Sequence, residues 1–374
     1  MMDLHHGHVQ MNKDFWHNKN VLITGVTGFK GSWLALWLES LGANVTGVSL
    51  DPPSQPNLYT EASISEVVKH YHTDICDTEA VKKIFLDSKP SIVFHMAAQS
   101  LVRYSYENPI ETYRTNVLGT LSILEAIKSS DSVRSGLMIT TDKVYDNKEW
   151  LWGYRENDAM GGFDPYSSSK GAAELLISSY RNSFLPITKY SDHRVSLASV
   201  RAGNVIGGGD WAKDRLIPDI IKSLENDQLP EIRNPDSTRP WQHVLEPLHG
   251  YLTLAEKMVD DDGLYSEPWN FGPELNDVKS VRWIVDNMLK HWKKEIDWDD
   301  QFGNHPHEAN FLKLDCSKAH QELEWFPIWN LQHTLKKIYE WNYEYKKFSN
   351  ARDISLQQIS EYMDDRTKRK NLIS

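Results

Sequence analysis

Residues Ile139–Asn147 read ITTDKVYDN, which puts two hydroxyls, a carboxylic acid beside an ammonium, and a phenol between Thr140 and Asp146. Asp142 and Lys143 can act as acid and base only if their surroundings push their proton affinities apart. The lysine must lose its proton while the aspartate keeps one. Adjacent side chains of an extended strand point to opposite sides, so both reach one substrate only if the strand ends or bends there. A plain strand-end ion pair is the alternative. Further along, YSSSK sets Tyr166 and Lys170 at i and i+4 on one helix face. An ammonium so placed lowers a phenol from its usual ~10 toward working pH.

A glycine-rich stretch precedes both groups. Gly25, Gly28 and Gly31, with Thr27, Phe29 and Lys30 among them, form G-x-x-G-x-x-G between an apolar strand and a helix. Small residues there let backbone N–H groups approach a pyrophosphate at the positive end of the helix. Asp51 follows at the tip of the next strand, about 20 residues on, where the dinucleotide fingerprint needs an acid. It would accept bonds from ribose hydroxyls and repel a 2′-phosphate, which favours NAD over NADP. Asp74, with Ile75 in TDICD, is placed either to bond the adenine amino group or to cap its loop.

The elements that position these residues alternate. NVLITGVTGFKGSWLALWLESLGANVTGVSLD (20–51) is one βαβ unit, and further strands are predicted at 91–98, 135–141 and 195–203 with helical stretches between. The expected fold is α/β: a Rossmann-type doubly wound parallel sheet with helices on both faces, followed by a smaller, mixed C-terminal substrate-binding lobe. The boundaries read as a tail at 1–14, a dinucleotide-binding domain at 15–200 and a substrate lobe at 201–374, partly interleaved with the first around 240–265. LQHTLKKIYEWNYEYKKF near the end reads as an amphipathic outer helix.

Acidic residues outnumber basic ones by 52 to 41, a formal charge of −11 that disfavours nucleic acid as a partner. Cys76 and Cys316 lie too far apart for a disulfide framework or a zinc site, which fits a reducing cytoplasm. No apolar run reaches membrane-spanning length, and the leader lacks the core of a signal peptide, so no membrane association is expected. His5, His6 and His8 sit on an unpatterned polar tail, and no metal site is expected of them.

With AAQ (Ala97, Ala98, Gln99) and TNV (around Asn116), these motifs resemble the extended short-chain dehydrogenase/reductase family. The resemblance implies bound NAD and a Tyr166/Lys170 pair that removes a hydroxyl proton. It also implies a supporting or water-ordering Asn116. TDKVY stands where the nucleotide-sugar 4,6-dehydratases carry Thr-Asp-Glu, and Lys143 replaces the glutamate of the dTDP-glucose pattern. Together with TGFKGSW, FHMAAQSLVRYSY, WGYREND, MGGFDPYS, SVRAGNVIGGGDWAKDRLIPDI, RPWQHVLEPL and NHPHEANFLKLDCSKA, it is similar to the branch that takes CDP-glucose. Val26 departs from that branch, which often has histidine there; the change bears on cofactor affinity rather than identity.

The implied chemistry follows from the groups. Tyr166 takes the C4 hydroxyl proton with Thr141 sharing the bond, while hydride passes from C4 to NAD. The 4-ketone acidifies C5, so Lys143 removes that proton while Asp142 protonates the departing C6 hydroxyl. Hydride then returns to C6. Repulsion from Lys170 and the nicotinamide is expected to push Lys143 down, and an apolar wall to hold Asp142 protonated. A diphosphate needs cations, for which Arg215, Arg239 and Lys213 are candidates with Asn204 as donor, Lys213 also reading as a surface ion pair. Arg103 and His307 lie in matching motifs without a firm role. A homodimer or homotetramer and a place in surface-polysaccharide deoxysugar synthesis are implied too. A 4-epimerase would share the cofactor and Tyr166/Lys170 but needs no acid for C6. A dinucleotide-sensing module without catalysis would lack the Tyr/Lys pair.

Overall fold

The computed structural model describes residues 12–292, 298–300 and 311–373. The leader histidines and His307 lie outside these residues.

The first strand, β1 (Asn20–Thr24), is the apolar run VLIT preceded by one exposed asparagine. It lies between β2 (Asn44–Ser49) and β4 (Ile92–His95), with β3 (Lys69–His72) outside β2. On the other side follow β5 (Ser135–Ile139), β6 (Ser196–Ala202) and a last strand, Pro268–Phe271. All seven strands are parallel. Continuous burial of β4, β5 and β6 is what helices on both faces of a parallel sheet demand. Chain order reverses between β1 and β4, and such a switch point opens a crevice beyond the carboxyl ends of the strands.

One face is covered by helix Phe29–Ser40, whose Gly31–Leu38 are all buried. That helix needs cover on its outer side, and helix Ala351–Ile373 supplies it. Tyr362 meets Trp37 at 5.8 Å between rings, and Arg352 pairs with Glu39 at 2.9 Å. The sequence reading assigned no element there. The other face packs helices Thr78–Ser88, Thr120–Lys128 and Pro165–Ser183 around Ile84, Ile123, Ile127 and Ile177. The predicted amphipathic helix is Leu331–Phe348, with Leu331, Leu335 and Ile338 turned toward Ile284 and Met288 of helix Val281–Trp292.

The strand end required at the reactive stretch is present. β5 stops at Ile139, and Asp142–Val144 turn as a single 3-10 helix whose N-cap is Thr141. Immediately after β6, β7 (Asn204–Ile206) pairs in parallel with Thr238–His243, which also runs antiparallel to Val278–Ser280. This small mixed sheet forms the opposite wall of the crevice. Among the described residues no helix is long and apolar enough to cross a membrane.

Candidate functional site

A cleft of about 1890 Å³ runs along the carboxyl ends of the strands and under the small sheet. Its floor begins at the glycine loop. Gly25 has φ +74°, and a Cβ on Gly31 would lie 2.1 Å from the Gly25 carbonyl oxygen, so the loop admits only glycine at these points. Gly28 caps helix Phe29–Ser40 without a side-chain bond, which leaves the first N–H groups of the helix for an anion. Thr27, Phe29 and Lys30 line the cleft with the glycines, as do Asp51, Asp74, Ile75, Ala97, Ala98 and Gln99. This cradle fits a dinucleotide. Asp51 is exposed at the rim and pairs with His72 at 3.3 Å. Asp74 caps its loop through the Cys76 N–H at 2.9 Å and also reaches Arg114 at 3.4 Å.

Asn116 does not line the cleft. It sits in the wide turn Arg114–Gly119, where Oδ1 accepts the Gln99 N–H at 2.9 Å and Nδ2 donates to the Gln99 carbonyl and the Ser169 hydroxyl. These three bonds hold the loop after β4 against helix Pro165–Ser183.

The turn after β5 brings the reactive groups together. Asp142 is wholly buried, and its Oδ1 accepts the Thr141 hydroxyl at 2.9 Å and the Lys143 ammonium at 3.2 Å. Its Oδ2 has no partner among the described residues. Lys143 also donates to Asn204 Oδ1 of β7 at 3.4 Å, spanning from sheet to lobe. Tyr166, on the first turn of helix Pro165–Ser183, bonds Thr141. One turn later Lys170 donates to the Ile139 carbonyl at 3.1 Å.

Two electrostatic expectations are corrected. Lys143 is not pushed down: burial lowers it, but the Asp142 carboxylate and Tyr166 outweigh that, and its proton affinity is raised. The adjacent carboxylate wins over Lys170, whose ammonium is turned to a carbonyl. Tyr166 is raised by burial, and the cations that oppose this are Lys143, helped by the Thr141 bond, and to a lesser extent Arg215, rather than Lys170. Burial lowers Lys170 to about 8. Burial, with repulsion from Lys170 and Arg215, lowers Lys30 to about 7.

Among the expected anion ligands, Arg103, Asn204, Arg215 and Arg239 line the cleft, while Lys213 is exposed and does not. Arg215 crosses it, pairing with Asp210 at 2.9 Å and donating to Ser100 Oγ at 3.2 Å. Arg233 also lines the cleft and went unnoticed in the sequence. It shares Asp214 with Arg103, each at 3.2 Å, although the two arginines come from different walls.

A glycine-loop sheet, a Tyr/Lys helix and a cation-lined lobe define a class of proteins that bind a dinucleotide beside a second anionic ligand. The fold is shared with dTDP-glucose 4,6-dehydratase of Bacillus anthracis str. Ames, solved with NAD, at 20% identity and a TM-score of 0.74 over 88% of this chain and 98% of that one. The chain belongs to the family described as GDP-mannose 4,6 dehydratase, whose profile matches residues 22–338. It is 52% identical over 358 residues to CDP-glucose 4,6-dehydratase of Salmonella typhimurium strain LT2, covering 96% of this chain and 100% of that protein. To dTDP-glucose 4,6-dehydratase of Shigella flexneri it is 27% identical, over 86% of this chain and 92% of the relative.

Proposed function

We propose that this chain is a CDP-glucose 4,6-dehydratase that forms CDP-4-keto-6-deoxyglucose and water. The observation that carries the reading is the buried Asp142, bonded to Thr141 and Lys143 beside Tyr166, in a chain 52% identical to a protein of that name. Residues 15–200 hold the dinucleotide and 201–374 the sugar nucleotide, whose diphosphate meets Arg215 and Arg239 of the lobe and Arg103 from the first domain. NAD is the cofactor; when bound along the glycine loop and Asp51, it supplies first the hydride acceptor and then the donor.

Tyr166, as phenolate, takes the C4 hydroxyl proton and becomes neutral; before that step the Lys143 ammonium and the Thr141 bond favour the phenolate. Asp142 and Lys143 form an ion pair in the open cleft, so neither is yet an acid or a base. A single proton passing from ammonium to carboxylate across their 3.2 Å contact creates both at once. Removing water favours the neutral pair, because desolvation penalises two charges more than none. The Lys143 amine then takes the C5 proton, the Asp142 carboxylic acid protonates the leaving C6 hydroxyl, and Lys143 later returns its proton to C5. Over the cycle Tyr166 has gained a proton and Asp142 has lost one. Thr141, bonded to both, is the shortest path between them.

Exposed Ile110 of the short helix Pro109–Tyr113, Leu118 of the wide turn that follows it and Leu175 of helix Pro165–Ser183 support a homodimer or homotetramer, which sedimentation decides. A role in surface-polysaccharide deoxysugar synthesis rests on the same reading. Incubation with NAD and CDP-glucose is expected to give the base-induced absorbance of a 4-keto sugar. Absence of product from every nucleoside-diphosphate hexose would overturn the proposal.

A further inference from the structure

The buried pair Glu174–Arg201 takes no part in the steps above. Charges this deep are costly unless every donor and acceptor is satisfied, and an apolar pair of similar size is often at least as stable. Here satisfaction comes from particular partners. Arg201 Nε and Nη2 meet the two Glu174 oxygens at 2.9 and 2.8 Å, with both side chains 3% exposed. Glu174 also accepts the Thr140 hydroxyl at 2.5 Å and the Ser199 hydroxyl at 2.8 Å. Arg201 Nη1 donates to the Tyr145 hydroxyl at 2.8 Å, and that hydroxyl donates to Asn270 Oδ1 at 2.7 Å.

Thr140 and Tyr145 flank the turn that bears Thr141, Asp142 and Lys143. Glu174 lies one helical turn beyond Lys170 and two beyond Tyr166, on the same helix face. We propose that Glu174 and Arg201 form a positioning clamp tying the turn Thr140–Tyr145 to the helix face of Tyr166 and Lys170, a role that rests on reading those side chains as the reacting set. Two elements far apart in sequence are thereby held at one spacing from beneath, without the clamp touching the substrate. The Glu174 charge also keeps the proton on Lys170 against burial. The other ionisable groups facing Lys170 are Lys30 of helix Phe29–Ser40 and His95 of β4.

Thr140→Val removes one hydroxyl and leaves both charges paired. For CDP-glucose dehydration kcat is expected to fall at least ~10-fold with KM within about threefold, and Thr140→Ser to recover wild-type kcat within about twofold. A lowered Tm with unchanged kcat is what a merely structural contact would give, and it overturns the clamp. Nζ titration in protein labelled with [15N]lysine gives a readout independent of turnover. Glu174→Gln should move the Lys170 titration down by about one pH unit, and an unmoved titration contradicts the proposal. Thr140→Val covers a failure of Glu174→Gln to fold. If wild-type protein does not dehydrate CDP-glucose, the functional reading fails and the lysine titration alone decides the clamp.

Discussion

In the proposed mechanism Asp142 and Tyr166 share Thr141 but carry separate proton transfers, so their loss should look different. Tyr166→Phe removes the group that starts C4 oxidation and should return CDP-glucose unlabelled from D2O. Asp142→Asn leaves C4 oxidation in place but removes both the acid for the C6 hydroxyl and the acceptor of the Lys143 proton, and should still form NADH transiently in a single turnover while giving no 6-deoxy product. Both rates of product formation should drop by roughly 10²–10⁴. Equal absence of transient NADH in the two variants would refute the division of labour. At the far end of the cleft, the exposed Asp51 carboxylate should hold NADP affinity at least ~10-fold below NAD by charge repulsion; comparable affinities in calorimetry would count against it. Residue types and spacing, taken with the family resemblance, singled out Asp142, Lys143, Tyr166 and Lys170 as candidates. Their titration was not legible, because it depends on which neighbour is nearest. Lys143 meets Asp142 at 3.2 Å while Lys170 is bonded to the Ile139 carbonyl, and no spacing rule sets that order.

At the scale of elements, the glycine loop and its helix have the least room for change. A Cβ at Gly31 would meet the Gly25 carbonyl oxygen at 2.1 Å and the Val26 Cα at 2.9 Å, both backbone. Gly31→Ala should therefore displace the loop and weaken NAD binding at least ~10-fold, about 1.4 kcal/mol in calorimetry. Wild-type affinity in that variant would contradict the cradle. Strands β1 and β5 were legible because burial makes VLIT and LMI short apolar runs, and β6 because Leu197, Ala198, Val200 and Ala202 outnumber its Ser196, Ser199 and Arg201. Pro268–Phe271 was not: it is a four-residue strand that opens on proline and contains a buried asparagine. Helix Ala351–Ile373 was missed because its buried face mixes Ile354, Ile359 and Tyr362 with Ser355 and Gln358. Those polar groups bond Trp341 and the Lys337 carbonyl, contacts available only once helix Leu331–Phe348 is in place.

Across the whole molecule, Glu246 ties the sheet-covering helix Leu245–Asp260 to the C-terminal helix. It is fully buried, accepts the Trp329 and Ile328 N–H groups at 2.7 and 3.0 Å, and accepts the Tyr362 hydroxyl at 2.7 Å. Burial raises its carboxyl from 4.5 to about 7. A group raised in the folded state contributes stability that is complete below its unfolded value and is lost as pH climbs through the folded one. Wild-type Tm should therefore fall between pH 5 and 8, by an amount worth at most about 3 kcal/mol, and Glu246→Gln should flatten that fall. An equal slope in the variant would remove Glu246 from the account.

The central claim is that one cleft oxidises, dehydrates and reduces a single hexose without releasing it. Incubating a mixture of CDP-[4-²H]glucose and CDP-[¹³C₆]glucose with the protein and NAD tests it most directly. The account predicts deuterium in the C6 methyl group of the ¹²C product alone. Deuterium in the ¹³C product, deuterium absent from C6, or a product retaining its C6 hydroxyl would contradict it.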